Sequence, residues 1–114
     1  MTVAILAVDS FIEVGDTIIA LYKFDDLNHR DTNPYASPDY FGIAGLTTWK
    51  GERLAITIWG NDNTSEEKDG FLNNEVINWA IIKNKKYVPV QSIYRIGKNS
   101  WEPNGISIID SIKL

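Results

Sequence analysis

The chain has 114 residues, of which 44% are hydrophobic and 23% are charged, a composition ordinary for one globular domain spanning residues 1–114. The net charge of −4 argues against nucleic acid as a partner. No run approaches the roughly 20 apolar residues of a membrane-spanning helix, so we expect no membrane insertion. Cysteine is absent, which excludes disulfides and thiolate metal sites. The opening MTVAILAVDSF has no basic segment, so we expect a soluble domain without its own signal peptide.

The first quarter of the chain favours two strands and a turn. Thr2–Val8 is an apolar run typical of a strand, and Val14–Asp16 has the residues of a turn. Thr17–Lys23 predicts a mostly buried strand. A helix is the competing interpretation there, but the segment is short and begins with β-branched residues.

A polar segment and a glycine-containing strand follow. Phe24–Tyr40 is dense in Asp, Asn, Pro and Ser, which predicts a long irregular segment of the kind that often carries function. Phe41–Trp49 predicts the next strand, in which Gly42 and Gly45 indicate a bulge or a close approach of another backbone. Lys50–Glu52 predicts a hairpin turn.

Two strongly alternating strands flank an acidic loop in the middle of the chain. Residues 54–59 place Leu54, Ile56 and Ile58 on one side, and residues 75–82 do the same with Ile77, Trp79 and Ile81. We expect these two apolar sides to face the core.

The acidic loop itself carries most of the net charge. Between residues 61 and 75 there are five acids and one base, which sum to −4. Thr64 and Glu67 have the spacing of a capping box, and Gly70 suits a left-handed stop. We therefore predict a short helical turn over Thr64–Gly70.

The last third of the chain predicts a turn and two further strands. The basic turn Lys83–Lys86 leads into a strand over Tyr87–Arg95, in which Pro89 indicates a sheet edge or a bulge. In the closing segment Ile106–Leu114, one parity holds Ile106, Ile108 and Ile112, and the other holds Ser107, Ile109 and Ser111. The chain thus has about seven or eight short strands and no amphipathic helix. This pattern predicts an all-β fold, an antiparallel β-sandwich that is immunoglobulin-like or jelly-roll-like, with a closed barrel as the alternative.

Four motifs, in this order, resemble those of a repeated β-sandwich module. They are the VGDTI of residues 14–18, the GLTTW of 45–49, the ITIWGND of 56–62 with the EKDGF of 67–71, and the NGIS of 104–107. Such modules occur in large surface or secreted proteins of marine Bacteroidetes and in structural proteins of marine phages. The resemblance implies a non-enzymatic module used in display, adhesion or attachment, located outside the cell, on its surface or in a virion. The long segment over residues 25–39 departs from that pattern.

The acidic loop is the first candidate site. Asp62, Asn63, Asp69 and Glu75 supply the hard oxygen ligands that calcium prefers, although their spacing does not match an EF-hand. We consider bound Ca2+ as one interpretation and simple capping by solvated acids as the other.

Aromatic side chains are the second candidate. Exposed rings stack on sugars, and Tyr35, Tyr40 and Trp101 lie in or beside polar loops, so they are the predicted ligand-binding residues. For the strand residues Trp59 and Trp79 we expect core packing. The lone His29 has no accompanying catalytic motif, so we predict no enzymatic activity.

Two functions remain open from the sequence. The first is a structural or attachment module that self-associates or joins a larger assembly, in which the Lys83–Lys86 turn meets the acidic loop of a neighbouring copy. The second is a carbohydrate-binding module that uses loop aromatics and, in one variant, calcium.

Overall fold

A computed structural model describes residues 1–23, 41–61 and 69–114. Within those ranges the chain is all-β, as predicted, and contains seven strands and no helix. The strands are β1 (Thr2–Ile5), β2 (Thr17–Lys23), β3 (Phe41–Thr48), β4 (Leu54–Thr57), β5 (Asn78–Lys83), β6 (Lys86–Ile96) and β7 (Ile106–Lys113). The helical turn predicted for Thr64–Gly70 lies outside the described residues, apart from Asp69 and Gly70, which are not helical.

The seven strands form one mixed sheet in the order β3-β2-β5-β6-β7-β1-β4. All neighbours are antiparallel except β1 and β7, which run parallel, so the prediction of a wholly antiparallel arrangement is wrong at that pair. The two outer strands, β3 and β4, approach each other, and the sheet is nearly closed into a barrel. This architecture is closer to the barrel alternative than to two separate sheets.

Strand β6 joins the two halves of the sheet. Its first part, Lys86–Val90, pairs with β5, and its second part, Gln91–Ile96, pairs with β7. Pro89 falls in the first part, where β6 pairs with β5 alone and its other edge has no partner strand. The N–H that proline lacks is therefore not needed for a second strand pairing. The turn that enters β6 has positive φ at both Asn84 and Lys85, which makes it a two-residue type I′ hairpin turn.

A glycine allows the two edges of the sheet to meet. Opposite Ala20, strand β3 has two residues, Ala44 and Gly45, and this bulge turns the Ala44 carbonyl to accept a hydrogen bond from the Trp59 N–H at 3.0 Å. A Cβ on Gly45 would lie 2.9 Å from the Thr57 carbonyl oxygen. The predicted close approach at Gly45 is therefore confirmed, and it forms the seam of the barrel.

The predicted hairpin at Lys50–Glu52 is wrong. The segment connects β3 to β4, but these strands lie at opposite ends of the strand order and share no ladder. It is a corner between the two edges of the sheet.

One core fills the interior. The predicted inward sides are confirmed, because Ile56, Ile58, Ile77 and Ile81 are all buried. Trp79 is buried beside them, and its Nε1 donates to the Tyr94 hydroxyl at 3.0 Å. Burial raises the pKa of that hydroxyl.

An ion-pair network holds the end of the barrel at which β2 begins and β5 ends. The Lys83 ammonium donates to Glu13 at 2.6 Å and to Asp16 at 2.9 Å. The backbone N–H of Glu13, followed by Lys83, lowers the pKa of the Asp16 carboxyl from its ordinary value. The Glu13 and Asp16 carboxylates in turn raise the pKa of Lys83. These pKa shifts arise because the pairing of β2 with β5 brings Asp16, just before β2, next to Lys83 at the end of β5.

The seam yields a stability prediction. We expect Gly45→Ala to destabilise the fold by about 1–3 kcal/mol, because the added methyl group meets backbone at the Thr57 carbonyl and the edges must separate. Urea unfolding followed by tryptophan fluorescence measures the effect. Leu46→Ala, an exposed neighbour on the same strand, is the control and should change stability by less than about 0.5 kcal/mol. Equal effects of the two substitutions would contradict the seam.

Candidate functional site

The two polar segments of the sequence begin and end at one end of the barrel. Lys23 and Phe41, which flank residues 24–40, are paired residues of β2 and β3. Glu75 links this point to the acidic loop, because its Oε2 accepts a hydrogen bond from the Lys23 N–H at 2.9 Å and its Oε1 accepts one from the Leu72 N–H at 3.0 Å. We call this region the loop end.

The base of the acidic loop is closed by backbone contacts. Gly60 and Phe71 form an isolated parallel bridge, and the Asn61 N–H donates to the Phe71 carbonyl at 2.9 Å. The Asn61 side chain accepts from the Asp69 N–H at 2.9 Å. A Cβ on Gly70 would lie 2.5 Å from the Gly60 carbonyl oxygen, so glycine is required where the two arms cross. The ends of the loop are thus fixed independently of any ligand.

Trp101 supports this base from inside the fold. Only 9% of the residue is exposed, and its Nε1 donates to the Ile58 carbonyl at 3.0 Å. Its ring lies against Gly60, where an added Cβ would be 2.5 Å from the ring. The exposure expected of Trp101 as a sugar-stacking residue is not found. Trp101 is a packing residue beneath the base of the acidic loop.

The calcium hypothesis is only partly covered by the described residues. Asp62 and Asn63 lie outside them. Asp69 is exposed at the base of the loop, and both carboxylate oxygens of Glu75 accept backbone hydrogen bonds. Within the described ranges no group of three or more acidic or histidine side chains is placed to hold a metal ion. Glu75 is therefore a structural clamp in this geometry.

The aromatic side chain that is exposed among the described residues is not one of the predicted ones. Tyr35 and Tyr40 lie outside the described residues. Trp59, for which we expected core packing, is instead 46% exposed and lies just before the base of the acidic loop. Its position in the alternating pattern could have indicated this. Ile56 and Ile58 face inward, so Thr57 and Trp59, which have the opposite parity, face outward.

A cleft lies where β6 leaves β5 and turns toward β7. Its volume is about 280 Å³, below the usual range for pockets that hold drug-sized ligands. Apolar side chains of Leu21, Phe41 and Val90 line it together with the polar side chains of Asn78 and Gln91.

The outer faces of the two halves of the sheet differ in burial. Outside β2 and β5, a second cluster of Ile19, Leu21 and Ala80 is buried. Outside β6 and β7, large aliphatic side chains are exposed, with Ile93 at 41%, Ile96 at 57% and Ile106 at 70%. The exposed aliphatic face of β6 and β7 was not predicted from the sequence. The parity of β7 that holds Ile106 and Ile108 is the more apolar one, which suggests that it faces the core.

At the beginning of β7, the side that faces the core is the opposite of the one that the apolar pattern suggests. Ser107 and Ile109 face the core, whereas Ile106 is exposed. The Ser107 hydroxyl is satisfied by donating to the Lys98 carbonyl at 2.8 Å. Gly97 packs closely against Ser107, because a Cβ added at Gly97 would collide with the Ser107 hydroxyl oxygen.

No family model, curated protein or solved structure matches the chain. Within the described ranges no helix has the length and apolar character needed to cross a membrane.

The Glu75 clamp makes a testable prediction. We expect Glu75→Gln to lower the free energy of unfolding by about 1 kcal/mol, because one amide oxygen cannot replace two charged acceptors for the N–H groups of Lys23 and Leu72. Chemical denaturation in buffer with chelator measures this. Glu52→Gln, an exposed carboxylate at the opposite corner, is the control and should have no measurable effect. A Glu75→Gln protein as stable as the wild type would show that the clamp is dispensable.

Proposed function

We propose that the chain is a non-enzymatic structural or attachment module that packs into a larger surface or virion assembly. The observation that supports this best is the exposed aliphatic outer face of β6 and β7. We call the outer side of β6, β7, β1 and β4 the open face. Large contiguous apolar surfaces on a folded domain mark contacts with other macromolecules. The resemblance of the four sequence motifs supplies the setting, which is extracellular or virion-associated.

The loop end also fits a display role. Its two long polar segments start from backbone that is held by Glu75, Asn61 and buried Trp101. A rigid barrel that carries long connections at one end is a common way to present variable contacts. We further propose that the flattened barrel, with principal extents of 38 × 31 × 17 Å, works as a sandwich-like unit whose two halves face each other.

Site-specific photo-crosslinking tests the assembly role. A benzophenone side chain is placed in the full chain at Ile106 on the open face, and separately at Val14, which has the same 70% exposure but lies near the opposite corner. Both variants are produced and irradiated in the cells or particles that make the protein. We expect discrete protein adducts from position 106 and few or none from position 14.

Two results would contradict the assembly role. One is the absence of adducts from position 106, and the other is the same diffuse set of adducts from both positions. Mass spectrometry of a discrete adduct would identify what covers the open face.

A second function, carbohydrate binding, is favoured by exposed Trp59. A tryptophan that is 46% exposed, next to the base of a polar loop, is suited to stack on a sugar ring. A glycan array distinguishes the two functions: reproducible hits that are lost in Trp59→Ala but kept in Trp101→Phe would favour this one. Trp101→Phe keeps an aromatic side chain in the core, while it removes the bond to Ile58 and part of the ring surface that lies against Gly60.

A further inference from the structure

A row of apolar side chains crosses the open face. The registers of the three strand pairs align Ile96 of β6 with Ile108 of β7, Ile108 with Ala4 of β1, and Ala4 with Ala55 of β4. These four residues alternate with inward-facing neighbours such as Val3 and Ile109, so they point away from the core. Ile96 and Ala55 at the two ends of the row are exposed.

The row is asymmetric in size. Its β6–β7 end carries two isoleucines, and its β1–β4 end carries two alanines. Facing sheets pack well when large side chains of one layer meet small side chains of the other. A twofold rotation about an axis parallel to the strands, placed between β7 and β1, lays Ile96 over Ala55 of a second copy and Ile108 over its Ala4. Across that axis the isoleucines of one copy therefore face the alanines of the other.

The charges on the open face also permit this packing. Arg95 donates to Asp110 at 2.5 Å across β6 and β7, so these two opposite charges compensate each other within one copy. The adjacent row holds Thr2 and Thr57, which are uncharged. Two copies can approach through this region without placing uncompensated like charges from that pair against each other.

We propose that the open face is the contact surface of a symmetric homodimer, in which the β6–β7 end of one copy packs over the β1–β4 end of the other. The inference rests on the proposed assembly role and names the partner as a second copy of this chain. Four strands spaced about 4.8 Å apart, with four to eight residues each, give a face of roughly 250–500 Å². Over the two copies the contact buries roughly 500–1,000 Å² in total, below the about 1,200 Å² at which standard interfaces begin, so the dimer should be weak, transient and dependent on concentration.

Sedimentation velocity of the full chain over a range from about 1 μM to 1 mM tests self-association, a range that covers weak to moderate affinities. We expect a shift from monomer to dimer in the wild type. Ile108→Glu and Ile106→Lys should each weaken dimerisation at least tenfold, and Val14→Glu, which adds a charge off the face, should leave it unchanged. Because Ile106 is 70% exposed, its substitution keeps the fold even if Ile108→Glu does not.

Cross-linking tests the orientation. The chain has no cysteine, so Ile96→Cys and Ala55→Cys each introduce a single thiol. A short bismaleimide should join the two variants when they are mixed and should join neither variant to itself. Within one copy the two positions are three strand spacings apart, about 14 Å.

Several results would overturn the dimer. A wild type that is monomeric throughout the concentration range would do so, as would a dimer that tolerates both charge substitutions or dissociates only in high salt. Self-linking of Ile96→Cys would overturn the proposed orientation. If the wild type is monomeric but position 106 gives a discrete adduct with a different protein, the assembly role stands and only the identity of the partner is wrong. The absence of both would end both proposals.

Discussion

The structure depends on one strand that changes partners. β6 pairs with β5 as far as Val90 and with β7 from Gln91 onward, so it belongs to both halves of the sheet. Register shifts on either side of Tyr94 add the curvature that this change requires. Because β6 carries the sheet around the core, its two distant edges can meet at Gly45, and one interior holds inward side chains from every strand.

The same constraint gives the protein two unlike outer faces. On the β5 side, the outer cluster of Ile19, Leu21 and Ala80 is buried, so β2 and β5 bury both of their sides there, whereas Leu46 of the edge strand β3 is exposed. On the β7 side, only the inner face is buried and the outer aliphatic side chains remain exposed. Burial of such side chains contributes about 25 cal/mol per Å², which makes the exposed side the natural place for an intermolecular contact. The proposed function follows from this difference and from the loops fixed at one end.

Much of the fold was predictable because it is local. Apolar runs, β-branched residues and alternation together located all seven strands, and alternation predicted the inward sides of β4 and β5 correctly. The sequence could not predict which strands pair. The parallel contact of β1 with β7, and the corner at Lys50–Glu52, depend on residues far apart in the chain. Such pairings are selected by the packing of the whole core and have no local signal.

The candidate site was less predictable for a related reason. An aromatic residue in a polar loop suggests exposure, but Trp101 is buried because a glycine opposite it leaves room for the ring. Trp59 is exposed because its strand alternates, although it lies in an apolar sequence. The carboxylate of Glu75 is used by backbone N–H groups that only the tertiary structure brings near it. The acidic character of the loop could be recognised, but not which of its acids were already engaged.

The most direct test of this account is the solvent accessibility of isoleucine methyl groups, measured by paramagnetic relaxation enhancement in solution at low and high protein concentration. The account expects Ile19 to be protected at both concentrations. Ile96, Ile106 and Ile108 should be accessible when the protein is dilute and shielded when it is concentrated. Protection of all four residues in dilute solution, or accessibility of Ile19 equal to that of Ile106, would contradict the division into a covered and an open outer face.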